Sequence, residues 1–359
     1  MKKFIAIVSL LLVLALCVSF AACEQKSTSN AGQNTSADQQ GTQQQSGSDS
    51  NQPAATPATY TVMAPDGAPA LALAKMMKDA AKVNGHEMTY SVIAAANVAA
   101  SMTNGDADFI IAPTNAGVMQ SVNTDAYYLL GVTSWGNLYL VTTNDAYKTL
   151  ADSESATAFL AQFGGHSISS IGSNQVPDKS LKYLLGLAEV TATVAEAQTA
   201  QVIQNDLISG TIDCAVLGEP AVTGTKALLA KNGVTNYRIL GSVSEVWQSL
   251  TTLAYPQASV FVKKSVAADA ATVAAFETAL KASIDYLNAS SANAEEMGAY
   301  MESRGDNSLK GAIIKQCYLR TAQGYKSAAE AKDDVKRLVS VLVPSLADRN
   351  YDAIFYGTK

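Results

Sequence analysis

The side chains that could bind a ligand lie in turns, and each turn follows a short segment typical of a β-strand. Glycine and alanine in such turns let a ligand approach the backbone N–H groups, and acid, amide or hydroxyl side chains add hydrogen-bond partners. This chemistry favours reversible binding of a small solute. The candidate ligand-binding residues of these turns are Asp66, Gly67, Ala68, Thr114, Asn115, Ser173, Asn174, Gln175 and Glu219.

Glu219 allows the sharpest inference about that solute. A carboxylate that faces the ligand repels nitrate or a sulfonate, and it favours a solute with N–H donors or positive charge. Alternatively, Glu219 is a solvated or capping acid ahead of Pro220. The sequence alone leaves both interpretations open.

Three further candidates, Trp135, Asn137 and Tyr139, lie in one extended segment that a single glycine interrupts. Aromatic rings there would form a floor that suits a flat heterocycle, or they would fill an interface between two lobes. Because an acid, several amides and aromatic rings occur together, the set favours a nitrogen heterocycle such as a vitamin precursor.

Other functional classes have little support in the sequence. The chain has two histidines, His86 and His166, and neither is near a cysteine, so we expect no metal site. It has neither a phosphate-binding Gly-Lys-Ser/Thr loop nor a Gly-x-Ser-x-Gly elbow. We therefore expect no catalytic residue, no enzymatic activity and no cofactor. No Lys/Arg cluster indicates a nucleic-acid partner.

The candidate turns belong to two corresponding halves of the chain. The segment 104–115 is matched by 209–220, about 105 residues later. In each copy a glycine ends a helical stretch, an aspartate follows three residues later, and four apolar residues lead to a polar turn. Strand and helix patterns alternate around both copies, which indicates an α/β class. We therefore predict two α/β lobes that face each other across a cleft.

The chain is predicted to pass between these lobes twice. An extended run through residues 127–142 marks the first crossing, and 258–262 predicts a strand that rejoins the first lobe. The first lobe is then discontinuous, comprising 60–134 and 256–359, and the second comprises 135–255 with the hinge segments. Ligands of open α/β sheets bind beyond the carboxyl ends of the strands, where helix N-termini offer free N–H groups.

The N-terminal residues predict export and anchoring. Residues 1–22 have a short basic start and an apolar run, which is typical of a signal peptide. Cys23 follows two alanines, so we predict that its thiol is acylated, with palmitate as one acyl chain. Residues 24–59 are dominated by small and polar residues and are predicted to form a disordered tether. Without residues 1–22 the chain carries 23 basic and 31 acidic side chains, a net charge near −8.

Three motifs resemble the solute-binding lipoproteins of ABC importers: Pro65–Ala70, Gly131–Tyr139 and Leu217–Ala221. More narrowly, they are similar to the type II group with receptors for thiamine pyrimidine precursors, alkylsulfonates, taurine and nitrate. The resemblance covers roughly residues 60–359 and implies a two-lobed type II periplasmic-binding-protein fold with two hinge crossings. It also implies a monomeric receptor, lipid-anchored on the extracytoplasmic face of a bacterial cell membrane, that passes a small solute to an ABC permease.

Within that resemblance the best ligand hypothesis is a thiamine pyrimidine precursor. Alternatives are an alkylsulfonate, taurine or nitrate receptor, a sensory receptor that docks onto a membrane kinase, and an enzyme on the same fold. Such an enzyme would be a dehydratase or a vitamin-precursor synthase that consumes its own residues. The synthase would require a cleft histidine and clustered cysteines, which the sequence lacks.

Overall fold

A computed structural model describes residues 58–172, 175–197 and 199–358. The predicted signal peptide, Cys23 and the tether lie outside these residues. Within the described ranges, the strands are β1 Thr59–Pro65, β2 Glu87–Ile93, β3 Phe109–Pro113, β4 Tyr127–Ser134, β5 Leu138–Thr142, β6 Ser167–Ile171, β7 Thr193–Ala197, β8 Cys214–Gly218, β9 Arg238–Ser242, β10 Ala258–Lys263 and β11 Gln323–Ser327.

The α-helices of the same ranges alternate with these strands. They are α1 Ala68–Leu71, α2 Ala74–Lys78, α3 Val98–Asn104, α4 Thr114–Thr124, α5 Ala156–Ala161, α6 Val176–Leu187, α7 Ala200–Ser209, α8 Ala221–Lys231, α9 Val243–Thr251, α10 Lys264–Ala267, α11 Ala270–Ala289, α12 Ser291–Arg304, α13 Gly311–Cys317 and α14 Ala328–Leu342. Short 3-10 turns lie at Ala95–Asn97, Tyr318–Thr321, Pro344–Leu346 and Asp352–Ile354.

The described strands form two sheets, one for each lobe. The first sheet has the order β11-β4-β10-β3-β1-β2, and the second has the order β7-β6-β8-β5-β9. β1, β2, β3 and β4 run in one direction, and β10 and β11 are antiparallel to their neighbours. In the second sheet β6, β7 and β8 are parallel, whereas β5 is antiparallel to both β8 and β9.

Both passages between the sheets occur at the same edges. β4 ends at Ser134 in the first sheet, and β5 begins at Leu138 in the second. The return passage runs from α9, which follows β9, through residues 252–257 into β10. The edges where β3, β4, β8 and β9 end therefore adjoin the passages, and we call these the cleft edges. The turns at 66–68, 114–115, 172–175 and 219–220 follow strands that end there.

Burial explains why the central strands are apolar throughout. Every residue of β5 is buried, and so are the first four residues of β3 and of β8, because helices cover both faces of each sheet. The outer strands β2 and β7 expose part of their residues instead. These buried strands place the described turns 66–68, 114–115 and 219–220 at the cleft edges.

The last long helix, α14, connects the two lobes. It begins with a capping box in which Ser327 and Glu330 exchange side-chain and backbone hydrogen bonds. Its buried stripe packs against α4 of the first lobe and α6 of the second. On the α6 side, Lys179 Nζ donates to the Leu342 carbonyl at 2.8 Å. This helix therefore limits how far the two lobes can move apart behind the passages.

The internal repeat has a structural explanation. Gly105 and Gly210 end α3 and α7 with φ of 70° and 71°, a left-handed conformation that favours glycine. Asp108 accepts hydrogen bonds from the Thr61 backbone and hydroxyl, and Asp213 accepts one from Asn144 Nδ2. Each aspartate therefore ties the start of a central strand to a neighbouring strand.

The apolar segment 70–83 does not form one continuous helix. It contains the end of α1 and the whole of α2, and the chain beyond α2 turns at Ala80 and Asn84, which have φ of 48° and 51°. The outer strand β7 lacks the apolar pattern of an internal strand, because part of its residues are exposed.

Adding a methyl group at Gly117 is expected to destabilise the protein. A Cβ there would lie 2.2 Å from the ring of Phe261, which is fully buried and has no room to move. Gly117→Ala should lower the free energy of unfolding by about 1–3 kcal/mol, measured by urea denaturation.

Gly224→Ala is the matched control for this variant. Gly224 also occupies the fourth position of an 11-residue helix, and a Cβ there meets nothing within 4 Å. It should raise the free energy of unfolding by up to about 1 kcal/mol, because alanine is the better helix former. Equal changes in the two variants would contradict the packing described for α4.

Candidate functional site

Asn137 joins the two passages between the lobes. Its backbone N–H donates to Gln257 Oε1 at 2.7 Å, and Gln257 Nε2 donates to Asn137 Oδ1 at 2.6 Å. The backbone of Gln257 in turn donates to the Ser134 carbonyl at 2.9 Å and accepts from Thr114 N–H at 3.0 Å. The sequence predicted Asn137 as a ligand-binding residue; in this conformation its amide fixes the hinge, and Gln257 is the partner that the sequence did not indicate.

The same asparagine also fixes the turn after β8. Glu219 N–H donates to the Asn137 carbonyl at 2.9 Å, and Asn137 Nδ2 donates to the Glu219 carbonyl at 3.1 Å. Asn137 is only 7% exposed, so each of these polar groups requires a partner within the protein. The first passage, the second passage and the β8–α8 turn are thus joined through one side chain.

The carboxylate of Glu219 is fully engaged by protein groups. Its side chain has no exposed surface, and it accepts hydrogen bonds from Thr223 N–H at 3.0 Å and Thr223 Oγ1 at 2.8 Å. Arg320 Nε donates to the same carboxylate at 2.7 Å, and Arg320 Nη2 donates to Thr223 Oγ1 at 2.7 Å. Glu219 therefore caps the N-terminus of α8, where negative charge is favourable, and it is not solvated.

Arg320 belongs to the first lobe, so its bonds to Glu219 and Thr223 cross between the lobes. Tyr139 OH adds a hydrogen bond to the Arg320 carbonyl at 3.1 Å. Burial, followed by the charge of Glu219, raises the pKa of Tyr139 to about 12. Burial and the same carboxylate raise the pKa of the Cys317 thiol to about 12. We call Tyr139, Glu219, Thr223, Cys317 and Arg320 the interlobe contact.

Both cysteines of the described chain are free thiols. Cys317 is buried in the interlobe contact, and Cys214 is fully buried in β8. Burial also raises the pKa of Cys214. Both thiols therefore stay protonated and behave as small packing residues.

Trp135 packs against the first lobe. Its Nε1–H donates to the Gly324 carbonyl at 2.9 Å, and Lys326 Nζ lies 4.5 Å from its ring centroid. The ring is half-buried against β11, so its edge and one face have protein partners.

The turn after β1 is held in place but stays open at its glycine. Asp66 Oδ1 accepts a hydrogen bond from Ser308 N–H at 2.9 Å, and Asp66 N–H donates to the Ile93 carbonyl at 2.9 Å. Gly67 has φ of 102°, and no atom lies within 4 Å of the Cβ position that it lacks. Ala68 is buried at the start of α1. The open space beside Gly67 allows a ligand to approach the backbone.

The turn after β3 holds a polar atom without a partner. Thr114 is fully buried, and its Oγ1 lies 2.7 Å from Ser259 Oγ, which makes it a structural residue. Asn115 Oδ1 is buried and has no hydrogen-bond partner among the described residues. At the same cleft edge, Gln323 Oε1 at the start of β11 is also buried and unpartnered within the described chain. Two buried acceptors without donors are costly unless a ligand or water completes them.

The turn after β6 is described only in part. Ser173 and Asn174 lie outside the described residues, so their predicted roles stay predictions. Gln175 is exposed at the start of α6, and its backbone N–H donates to the Gly172 carbonyl at 3.2 Å. On β6 itself, Ser170 Oγ is buried and has no partner in the described chain.

The structure thus brings together three of the predicted residues, Asn137, Tyr139 and Glu219, at the passages. The residues on the first lobe's cleft edge form a separate row. Among the described residues, no group of three or more His, Cys, Asp or Glu side chains could hold a metal ion. Within the same ranges, no helix combines the length and apolar character needed to cross a membrane.

No protein-family model matches the chain, and no curated protein matches it. Solved structures do share its fold. An ABC transporter protein from Parabacteroides distasonis is 22% identical with a TM-score of 0.65, and the match covers 83% of this chain and 98% of that chain. The periplasmic aliphatic sulphonate binding protein SsuA from Escherichia coli is 15% identical with a TM-score of 0.58, covering 81% and 89%.

A third neighbour is the periplasmic nitrate-binding protein NrtA from Synechocystis PCC 6803, which is 13% identical with a TM-score of 0.55, covering 82% of this chain and 84% of that chain. At these identities the likeness establishes the fold alone. It confirms the two-lobed α/β architecture that the sequence predicted.

Removing Arg320 is expected to destabilise the protein, because the buried carboxylate of Glu219 would lose its cationic partner. Arg320→Ala should lower the free energy of unfolding by about 1–3 kcal/mol. In a double-mutant cycle with Glu219→Gln, the coupling energy should exceed about 0.5 kcal/mol, because the amide no longer needs the guanidinium.

Arg349→Ala serves as the control, because Arg349 is exposed and forms no ion pair with the described residues. It should change the free energy of unfolding by less than about 0.5 kcal/mol. A coupling energy near zero between Arg320 and Glu219 would show that the interlobe contact is not formed in solution.

Proposed function

We propose, from the two-lobed type II periplasmic-binding-protein fold of this chain, that it is the extracytoplasmic solute-binding component of an ABC importer. It captures a small organic nutrient between the cleft edges and delivers it to a permease in the membrane. One observation carries the proposal: the chain forms two sheets, and the strand ends of both sheets adjoin the two passages between them. A ligand bound at these strand ends can contact both lobes. The lobe boundaries 60–134 with 256–359, and 135–255, belong to this proposal.

The mechanism is closure about the two passages. A solute that contacts both cleft edges binds the closed form more tightly and so increases its population. Asn137 and Gln257 keep the passages together while the lobes rotate, and α14 limits the opening. The closed form thereby gives the permease a surface that differs from the empty state.

The best ligand hypothesis is a nitrogen heterocycle with N–H donors, such as a thiamine pyrimidine precursor. The support comes from the first lobe, where Asn115 Oδ1 and Gln323 Oε1 are acceptors without donors. An aminopyrimidine supplies donors to such acceptors, whereas nitrate and alkylsulfonates without an amino group offer only acceptor oxygens. Glu219 no longer supports this hypothesis directly, because Arg320 neutralises its charge.

The cellular placement rests on the sequence alone. A signal peptide over 1–22, acylation of Cys23 and the tether 24–59 would keep a monomeric receptor at the outer face of the cell membrane. The tether would let the folded domain reach its permease without leaving the membrane.

The solute can be identified with the full-length chain purified in detergent without a denaturing step. Native mass spectrometry should detect a retained small molecule with the mass of a nitrogen heterocycle. Aminopyrimidine precursors should also stabilise the folded state, by about 2.7 kcal/mol at a concentration roughly a hundred times the dissociation constant. Nitrate should produce no such stabilisation. Recovery of a chemically altered solute would instead indicate an enzyme.

Asn115 is expected to contribute to solute affinity and not to folding. Asn115→Ala should weaken binding of the retained solute by about tenfold, because one buried hydrogen bond is lost. Asn123→Ala is the control, since Asn123 is exposed on the same helix. Calorimetric titration gives the affinities, and urea denaturation should show unchanged stability for both variants. Equal affinities in the two variants would remove Asn115 from the site.

A further inference from the structure

A cavity of about 340 Å³ lies where the two lobes meet, beside the interlobe contact. The second lobe contributes α8 and the outer strand β9, and the first lobe contributes α13 and the 3-10 turn that follows it. We call it the seam pocket; the residues that line it include Val222, Lys226, Tyr237, Ile239, Gln316 and Arg320. Its volume falls within the range of about 300–1,000 Å³ that is typical of small-molecule sites, and such sites favour domain interfaces.

The seam pocket carries positive charge at its polar end. Lys226 follows Thr223 by three residues on α8, so the two side chains lie on one face of the helix. Thr223 Oγ1 accepts from Arg320 Nη2 at 2.7 Å, which brings the guanidinium within about one helical turn of Lys226. Lys226 forms no ion pair within the described chain, and Arg320 Nη1 donates no hydrogen bond there.

Two of the three cations at the pocket have acidic partners. Glu219 contacts Arg320, and the two charges neutralise each other. Arg238 donates to the Asn144 and Tyr147 carbonyls at 3.2 Å and 2.5 Å, and its Nε lies 4.0 Å from Asp145 Oδ1. The third cation, Lys226, is exposed and forms no ion pair within the described residues.

The remaining walls are apolar. Val222 and Tyr237 are buried, and Tyr237 OH is already used by the Val222 carbonyl at 3.1 Å. Ile239 completes this wall from β9. On the opposite side, Gln316 Nε2 donates one of its two N–H groups to the Ala312 carbonyl at 2.9 Å, which leaves its second N–H available to a ligand.

We propose that the seam pocket is a second ligand site, for a small organic anion with a short apolar chain. Its carboxylate or sulfonate group lies between Lys226 and Arg320, and its chain packs on Val222, Tyr237 and Ile239. Because the walls come from both lobes, the anion binds the closed form and stabilises it. Occupancy of the seam pocket and of the cleft then favour the same conformation, so each ligand raises the affinity for the other.

The test uses butane-1-sulfonate and the full-length chain in calorimetric titrations at low salt. The anion should bind saturably. The neutral butyl methyl sulfone lacks the negative charge and inorganic sulfate lacks the apolar chain, so both should bind much more weakly. Lys226→Gln should weaken binding of butane-1-sulfonate by about fivefold, and Lys226→Arg should restore it.

One control separates this site from general charge attraction. Lys231→Gln removes the same charge from an exposed position at the end of α8 and should leave the affinity unchanged. If Lys226→Gln and Lys231→Gln lowered the affinity for butane-1-sulfonate equally, the binding would be due to general charge attraction and the proposal would be overturned.

Competitive displacement of butane-1-sulfonate by the solute identified in native mass spectrometry would place the anion in the cleft and would also overturn the second site, while leaving the receptor function intact. Absence of saturable binding by the unmodified chain would overturn the seam pocket alone. Retention of a solute in native mass spectrometry reports on the receptor function independently of either result.

Discussion

The hydrogen bonds of Asn137 are the constraint on which the rest of the structure depends. A chain that passes twice between two sheets leaves backbone groups in the passages that neither sheet can pair, and buried groups of this kind must be satisfied. Asn137 solves this at one point, since it binds Gln257 in the other passage and both backbone groups of Glu219. The relative positions of the two cleft edges therefore follow from one buried amide. Any ligand that both lobes touch meets a geometry set by this residue.

The Glu219–Arg320 pair builds on that frame. Burying a carboxylate costs free energy, and the pair offsets the cost only because the turn also supplies the N–H and hydroxyl of Thr223. Such a contact adds little net stability, but it joins the two lobes in this conformation. Separating the lobes would cost Glu219 its guanidinium partner and would expose the carboxylate to water.

Most of the fold could be predicted from the sequence, and the centre of the site only in part. Apolar strands such as β3 and β8, and the left-handed glycines before them, leave local signals, so the two lobes and the return strand β10 were recognisable. Glu219 was predicted as a ligand-binding acid, and its partner Arg320 lies 101 residues further along the chain in a 3-10 turn without a motif. A pairing between distant residues depends on how the lobes meet, and no local pattern encodes that. Trp135 was predicted either to form the floor of the cleft or to fill an interface between the lobes. Its ring packs against β11, a contact between distant residues that no local sequence pattern indicates.

The two proposed ligand environments differ in chemistry. The first lobe's cleft edge offers carbonyl acceptors, Asn115 Oδ1 and Gln323 Oε1, whereas the seam pocket offers the uncompensated charge of Lys226. The neutral Glu219–Arg320 pair adjoins the pocket and keeps the charge of either member from dominating the cleft. The whole chain has a net charge of −6, which disfavours the binding of anions to most of its surface. The positive charge of Lys226 opposes this effect locally. One protein can therefore select a solute with N–H donors at the cleft edge and an anion at the seam pocket. Each selectivity depends on the groups next to the ligand and not on the net charge of the whole molecule.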